Sequence, residues 1–235
     1  MTLRAPLRGV VFDKDGTLFD FEATWSHFCE TILHETAEGD KRLLADLAQV
    51  IGYDIVNKRF LKNSIVIAET TETVVDHLLP LLPHRTKAEL TDQLISASSA
   101  APQVPAADLP VVLGQLSKMG LRLGVATNDN EAPARAHVSE AGVLSFFDLV
   151  LGYDSGFGGK PEPGQLHHFC AVTGTQPSEC VMVGDSLHDL QAGAAAGMRT
   201  VGVLTGPAGR EDLKMHAEVV LPSVAHLPEW VSGQL

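Results

Sequence analysis

Two carboxylates stand two residues apart directly after an apolar run, in the segment Asp-Lys-Asp-Gly-Thr at residues 13–17. The run Gly-Val-Val-Phe at residues 9–12, followed by the polar segment, is typical of a buried strand that ends in a turn. Side chains alternate along a strand, so Asp13 and Asp15 begin on one side and Lys14 on the other. Converging carboxylates at the carboxyl end of a strand could perform phosphoryl transfer, because open α/β sheets bind ligands there. The alternative is a solvated turn.

Three further groups of polar side chains follow strand-like segments. Thr127 and Asn128 come after an apolar stretch, Lys160 follows a glycine-rich loop, and Asp185 is followed four residues later by Asp189. Each group also has a less specific interpretation. Thr127 could be a helix N-cap, Lys160 a solvated lysine, and the two aspartates helix N-terminal residues that favour the helix dipole.

In their order and separations, these four segments resemble the motifs of the haloacid dehalogenase superfamily of phosphohydrolases. The motifs are Asp-x-Asp-Gly-Thr, Thr or Ser, Lys-Pro, and Gly-Asp-Ser-x-x-Asp. The resemblance spans nearly the whole chain, and residues 217–223 look like the last strand and turn of phosphoglycolate-phosphatase-like members. It implies an α/β fold with a doubly wound, parallel, Rossmann-like sheet whose first strand is central. It also implies that an inserted helical cap closes over the active site.

The resemblance implies a role for each of the catalytic side chains. Asp13 would be the nucleophile that forms an aspartyl-phosphate, which divides a very slow hydrolysis into two easier steps. Asp15 would be the general acid for the leaving alkoxide and then the base that activates water. Thr127 and Lys160 would hold the transferring phosphoryl group and neutralise its charge.

A phosphoryl dianion that faces Asp13 would be repelled unless a cation lies between them. Mg²⁺ suits this position because it prefers hard oxygen ligands and keeps several waters. Asp13, the backbone carbonyl of Asp15 and the carboxylate of Asp185 match the ligand positions that the family implies. Asp189 is expected to orient waters or to support the loop. We therefore expect a magnesium cofactor.

The chain is expected to divide into a core of residues 1–19 and 101–235 and a cap of residues 20–100. Within residues 20–100, strand signals stop and apolar residues recur at spacings of three and four. After residue 108, helical and strand-like segments alternate, which predicts a parallel, doubly wound sheet. The cap is predicted to be wholly helical, with helices over residues 24–37, 41–51, 70–82 and 86–99.

Composition is consistent with an enzyme and limits its partners. The chain of 235 residues carries a net charge of −12, which argues against nucleic acid as a partner. No apolar run is long enough to span a membrane, no signal-peptide core is visible, and a cytoplasmic location is expected. Cys29, Cys170 and Cys180 predict reduced, buried thiols. The sequence leaves open whether the protein is a monomer or a homodimer.

Substrate identity depends on the cap. The predicted substrate-binding residues are Gly16 and Asn128 in the core and the cations Lys58, Arg59 and Lys62 in the cap. The three cations could bind a carboxylate or a second phosphate, although each could equally be surface charge. A small phosphorylated acid such as 2-phosphoglycolate is the predicted substrate, and this rests on the resemblance.

Two positions depart from the common pattern of the family. Lys14 stands where relatives usually carry an apolar residue, and Phe21 stands where phosphoglycolate-phosphatase-like members often carry Ser. Both positions bear on the substrate more than on the reaction. The alternatives are a phosphosugar mutase, a phosphatase for sugar phosphates or nucleotides, a phosphonatase that uses a cap lysine, and a non-catalytic protein that binds a phosphorylated ligand. A dehalogenase would not need an acid at Asp15.

Overall fold

The computed structural model describes residues 5–61, 63–67 and 69–234. Its strands, in chain order, are β1 (Gly9–Phe12), β2 (Tyr53–Asp54), β3 (Arg59–Phe60), β4 (Arg122–Ala126), β5 (Leu149–Leu151), β6 (Cys180–Gly184), β7 (Arg199–Val203) and β8 (Val219–Leu221). Six of them form one sheet in the order β5-β4-β1-β6-β7-β8, and every neighbouring pair in it is parallel. The predicted parallel sheet with a central first strand is confirmed.

The segment predicted as a cap contains the helices α1 (Phe21–Ala37), α2 (Lys41–Ile51), α3 (Thr71–Leu78) and α4 (Lys87–Ser99). The helices that pack on the two faces of the sheet are α5 (Leu109–Lys118), α6 (Glu131–Glu140), α7 (Gly164–Thr173), α8 (Leu187–Ala196), α9 (Arg210–Leu213) and α10 (Leu227–Ser232). Alternation along β1 divides the core into two layers. Val10 and Phe12 pack in one cluster with Leu113 of α5, whereas Val11 packs in another with Phe169 of α7. The sheet is therefore doubly wound, as predicted.

The segment predicted as a cap has its own hydrophobic cluster, which joins residues of α1 to α4. The prediction of a wholly helical cap was wrong in one respect, because β2 and β3 form a short antiparallel hairpin there. The reason is local turn chemistry. The Asp54 carboxylate accepts hydrogen bonds from the backbone N–H groups of Val56 and Asn57, and Lys58 has a positive φ of 52°. Such Asx bonding competes with a continued helix.

Side-chain caps determine where the helices of this segment begin. Asp20 caps α1 by accepting from the Ala23 N–H, and Thr86 forms a capping box with Glu89 at the start of α4. The helix predicted over residues 70–82 ends early as an α-helix, at Leu78. Pro80 follows in a 3₁₀ turn, where it supplies no N–H. The predicted division between core and cap at residues 20 and 100 stays a prediction.

Cys29, Cys170 and Cys180 are all buried and free, as expected. Across the described residues, no helix combines the length and the apolar character that crossing a bilayer requires.

Candidate active site

The sheet order places the predicted catalytic residues at one edge. β1 lies between β4 and β6, and all three run in parallel, so their carboxyl ends meet. Asp13 follows β1, Thr127 follows β4 and Asp185 follows β6. The backbone N–H of Asp13 still donates to the Val183 carbonyl at 2.9 Å, which fixes the start of the loop that carries Asp15.

Lys160 is buried against two of the carboxylates. Its Nζ lies 2.5 Å from Asp13 Oδ1 and 2.6 Å from Asp189 Oδ1, and Lys160 as a whole is only 6% exposed. The interpretation of Lys160 as a solvated loop lysine is therefore excluded. Burial lowers the pKa of the Lys160 ammonium, but the two carboxylates outweigh burial and raise that pKa above its ordinary value. Lys160 is a fixed cation in the site.

Asn128 positions Lys160 through a pair of backbone bonds. The Asn128 Nδ2 donates to the Lys160 carbonyl at 2.9 Å, and the Lys160 N–H donates to Asn128 Oδ1 at 2.7 Å. Gln165, which the sequence did not single out, is fully buried and donates to the carbonyls of Thr127 and Gly158. The loop after β5 is thus tied to the loop after β4, and this connection determines where the lysine stands.

Asp185 and Asp189 have different surroundings. Asp189 is the third residue of α8, where its carboxylate accepts from the Ser186 N–H and hydroxyl in a capping box while its other oxygen accepts from Lys160. Asp189 therefore belongs to the helix cap and also contacts Lys160, so its two interpretations are compatible. Asp185 accepts a hydrogen bond from the Thr17 hydroxyl at 3.3 Å. It does not serve as the cap of α8, because Ser186 does.

The carboxylates form an anionic cluster that suits a hard cation. Ligand oxygens of Asp13, Asp185 and Asp189 lie within 4.8 Å of one another, and all three residues are buried. Burial, opposed by Lys160, raises the pKa of Asp13 to about 7, and burial next to Asp13 and Asp189 raises the pKa of Asp185 well above 3.8. A bound cation would relieve both penalties.

Two glycines lie close against the Asp185 carboxylate. A Cβ built on Gly206, in the loop after β7, would overlap the Asp185 carboxylate, and one built on Gly16 would lie 2.5 Å from it. Gly16 also has a φ of 84°, which favours glycine. The donor set and this close backbone fit Mg²⁺, for which Asp13, Asp185 and the Asp15 carbonyl are the proposed ligands.

Lys14 is the most unexpected residue of the site, because it is fully buried. Its Nζ lies 2.9 Å from an Asp15 carboxylate oxygen and 3.0 Å from Asp129 Oδ2. It also lies 2.9 Å from His137 Nδ1 and 5.2 Å from the centre of the Trp25 ring. Burial lowers the pKa of Lys14, but the two carboxylates outweigh burial and raise it. Lys14 is therefore an ammonium ion held by two acids.

His137 completes this arrangement as a neutral imidazole. Its Nδ1 accepts from the Lys14 ammonium, and its Nε2–H donates to the Ser98 carbonyl at 2.7 Å, at the end of α4. Burial and, next, the Lys14 charge lower the pKa of His137 below 6.5. The contacts thereby connect the last turn of the predicted cap to the loop of Asp15.

Asp15 accepts hydrogen bonds from two side chains. The Trp25 Nε1–H of α1 donates to Asp15 Oδ1 at 2.8 Å, and the Lys14 ammonium donates to the same oxygen at 2.9 Å. Neither Trp25 nor His137 was recognised from the sequence, because each reaches the loop only when α1 and α6 pack near it. Asp129 directly follows the Thr-Asn pair, so its place in that motif was a usable signal.

The contacts of Thr127 and Gly16 bear on the roles predicted for them. Thr127 is buried and lines the cleft, but it is not an N-cap, because α6 begins at Glu131 and its hydroxyl accepts from the Asp129 N–H. Gly16 donates its N–H to the Phe19 carbonyl at 2.7 Å. Gly16 therefore shapes the turn, and its N–H is not available to a substrate.

The cleft above the catalytic carboxylates is bounded by α1, the β3 segment, α3 and α4. Lys58 and Arg59 do not line it, because Lys58 is exposed and pairs with Glu30 at 2.9 Å, and Arg59 is exposed on the hairpin. Lys62 lies outside the described residues. His188 is half-buried and also lines the cleft.

Comparison with known proteins identifies the family of this chain. A family model described as haloacid dehalogenase-like hydrolase matches residues 7–197. The chain belongs to the haloacid dehalogenase-like hydrolases. The resemblance predicted from the four motifs is confirmed, and the protein is a hydrolase of this family.

Individual relatives agree with that assignment. A phosphoglycolate phosphatase of Neisseria meningitidis is 30% identical over 234 residues, which cover 97% of this chain and 91% of the relative. The structure of CbbY from Rhodobacter sphaeroides in complex with phosphate has a TM-score of 0.68 at 19% identity and covers 94% of this chain and 96% of that one. An L-2-haloacid dehalogenase from Xanthobacter autotrophicus has a TM-score of 0.64 at 19% identity, with coverage of 97% and 100%. Similarity of fold alone therefore does not distinguish a phosphatase from a dehalogenase.

Proposed function

We propose that this haloacid dehalogenase-like hydrolase is a magnesium-dependent phosphatase that hydrolyses a phosphate monoester through an aspartyl-phosphate on Asp13. The observation that carries this proposal is the position of Lys160 Nζ, 2.5 Å from Asp13 and 2.6 Å from Asp189, beside a cluster of three buried carboxylates. A nucleophilic carboxylate, a fixed cation and a set of hard oxygen ligands are what phosphoryl transfer requires.

In the first step, an Asp13 carboxylate oxygen forms a bond to phosphorus and the bond from phosphorus to the ester oxygen breaks. The leaving alkoxide takes a proton from Asp15, the second carboxyl at the end of β1. Mg²⁺, when bound by Asp13, Asp185 and the Asp15 carbonyl, supplies positive charge that lets the carboxylate and the phosphoryl group meet. Lys160 neutralises further charge on the same group.

In the second step, Asp15 takes a proton from water as the water oxygen attacks phosphorus. The bond between phosphorus and Asp13 breaks, which regenerates the carboxylate and releases phosphate. Trp25 and Lys14 position Asp15 for both proton transfers, because both donate hydrogen bonds to its carboxylate. A dehalogenase has no use for this second acid, so these contacts favour a phosphatase.

The identity of the ester is a separate matter. Relatives named phosphoglycolate phosphatase favour 2-phosphoglycolate, which the sequence also predicted. Two of the three cap cations predicted to bind its carboxylate, Lys58 and Arg59, do not line the cleft. Transfer to a sugar phosphate in place of water, the alternative of a mutase, is distinguished by product analysis. The cytoplasmic location, the oligomeric state and the absence of nucleic-acid or membrane partners stay predictions.

Phosphate release measured with and without Mg²⁺ tests the proposed reaction. We expect turnover that needs the metal and falls below detection in Asp13→Asn, because the nucleophile is lost. Asp76→Asn is a matched control, since Asp76 is an exposed cap carboxylate that pairs with Lys87. Equal rates for wild type and Asp13→Asn would overturn the proposal, as would metal-independent turnover.

A further inference from the structure

The wall of the cleft that faces the catalytic carboxylates is mostly apolar. The cleft has a cavity volume of about 150 Å³ and opens to solvent. Apolar side chains that the cap segment contributes to its lining include Trp25, Phe28, Ile32, Val66, Ile67 and Val74. Glu69, Thr71 and Ser98 are polar exceptions on that side. A cleft whose wall is lined mainly by apolar side chains, with few polar groups, suits an apolar ligand.

The charge of the lining disfavours an acidic leaving group. Among the described residues that line the cleft there is one lysine, Lys160, and no arginine. Lys160 already contacts Asp13 and Asp189. The carboxylate of 2-phosphoglycolate would meet Glu69 on the cap side without a lysine or arginine among these residues. An anion buried without a cation carries a large desolvation cost.

Aromatic rings begin this wall directly beside the general acid. The Trp25 indole donates to Asp15, and its ring meets Phe28 edge to face at 5.1 Å between centres. Phe21, the second departure from the family pattern, meets Phe60 in the same way at 5.1 Å. Since Asp15 protonates the leaving oxygen, the group attached to that oxygen must extend along these rings.

We propose that the substrate is a phosphate monoester of a hydrophobic alcohol, with an aliphatic or aromatic group of several carbons. This inference rests on the proposed phosphatase function and names the substrate class of the same site. The phosphate binds at Asp13 and Lys160, and the hydrocarbon replaces water against Trp25, Phe28 and Ile32. Each methylene that leaves water favours binding by a factor of about four.

The test uses ethyl, butyl and hexyl phosphate together with 2-phosphoglycolate, all with Mg²⁺. The three alkyl alcohols are almost equally acidic, so the chemical step is constant and chain length alone varies. We expect kcat/KM to rise by roughly twofold to fourfold per methylene, and hexyl phosphate to exceed 2-phosphoglycolate by at least tenfold. A flat series, or 2-phosphoglycolate as the best ester, would overturn the inference while leaving the phosphatase proposal intact.

Absence of turnover with every ester would overturn the proposed function and, with it, this inference. Asp13→Asn is measured in parallel, so that turnover from a contaminant is recognised.

Two matched variants relate the preference to the wall. Ile32→Ala removes apolar surface from the cleft and should lower the ratio of kcat/KM for hexyl to ethyl phosphate at least threefold. Leu44→Ala removes a half-buried cap leucine that does not line the cleft, and this ratio should stay unchanged. Equal ratios for the two variants would contradict the proposed contact.

A variant of Lys62 tests the opposing hypothesis, that a cap cation binds an acidic substrate. The sequence predicted it as a substrate cation, and Lys62→Gln should leave the order of the four esters unchanged. Selective loss of 2-phosphoglycolate hydrolysis in this variant would show that a cap cation recognises an acid, and would overturn the inference.

Discussion

At the scale of single residues, Lys14 shows how one substitution in a motif changes the surroundings of a site. An apolar residue there would leave Asp15 and Asp129 without the ammonium that lies 2.9 and 3.0 Å from them. The lysine in turn needs both acids and His137, because a fully buried ammonium requires three acceptors. These residues have to be considered together.

Lys14→Met should therefore destabilise the fold by about 3–5 kcal/mol, since removal of one partner leaves buried carboxylates without a counter-ion. Denaturant unfolding monitored by circular dichroism measures this change. Lys87→Met is the matched control, because Lys87 pairs with Glu72 and Asp76 but is 44% exposed, and we expect it to cost less than about 1 kcal/mol. Equal losses for the two variants would show that the Lys14 contacts are not stabilising.

The buried carboxylates predict how stability depends on pH in metal-free protein. The folded pKa of Asp185 is raised above its unfolded value, so the folded state keeps a proton that the unfolded state has lost. Stability therefore decreases as pH rises above about 4, where the unfolded carboxyl ionises. Asp13, with a folded pKa of about 7, acts in the same direction.

Asp185→Asn should accordingly raise the Tm of metal-free protein at pH 8 by about 2–4 °C, and should raise it by less at pH 5. Thermal unfolding in the presence of a chelator measures both values. Saturating Mg²⁺ should stabilise wild type more than the variant, because the metal binds the folded state through this carboxylate. Asp92→Asn, at an exposed position of α4, is the control. A lower Tm for Asp185→Asn at pH 8 without metal would contradict the account.

The candidate catalytic residues could be selected from the sequence because each follows a strand or the loop after a strand, and the strand patterns are visible in the sequence. The residues that support them could not. Lys14 meets His137 across 123 positions, and Trp25 reaches Asp15 from α1 only after the segments pack. No local periodicity records such contacts.

At the scale of elements, the helices and strands followed local patterning closely. The parallel sheet agreed with its prediction because its strands are short apolar runs bounded by turns. The hairpin of β2 and β3 was missed because each strand has only two residues, too few for alternation to be recognised. Its turn depends on Asp54, whose carboxylate accepts from two backbone N–H groups.

The loop after β7 contributes to the site through absence of a side chain. Gly206→Ala would place a Cβ against the Asp185 carboxylate and should weaken Mg²⁺ affinity at least tenfold. Calorimetric titration of Mg²⁺ measures this change. Gly209→Ala, in the same loop, is the control, because its Cβ would meet its nearest neighbour at an ordinary 3.4 Å. Unchanged affinity in Gly206→Ala would show that Asp185 is not a ligand.

At the scale of the whole molecule, the chain combines a cluster of carboxylates and a lysine at one sheet edge with a mostly apolar wall from the cap segment. The strand ends supply Asp13, Asp185 and, through the adjoining loop, Lys160. The helices of the cap segment supply Trp25 and the apolar lining. We therefore expect the reaction to follow the family while the substrate differs from that of relatives whose caps are lined differently.

The most direct test of the central claim is whether a phosphoryl group resides on Asp13 during turnover. Wild type, Asp15→Asn and Asp13→Asn are mixed with Mg²⁺ and p-nitrophenyl phosphate, an ester whose leaving group needs no proton from Asp15. The reactions are quenched in acid within milliseconds and digested for mass spectrometry. We predict one phosphoryl group on the peptide that contains residue 13, with more of it in Asp15→Asn because water is no longer activated, and none in Asp13→Asn. Release of phosphate by wild type without any phosphorylated Asp13, or with the group on another residue, would contradict the account.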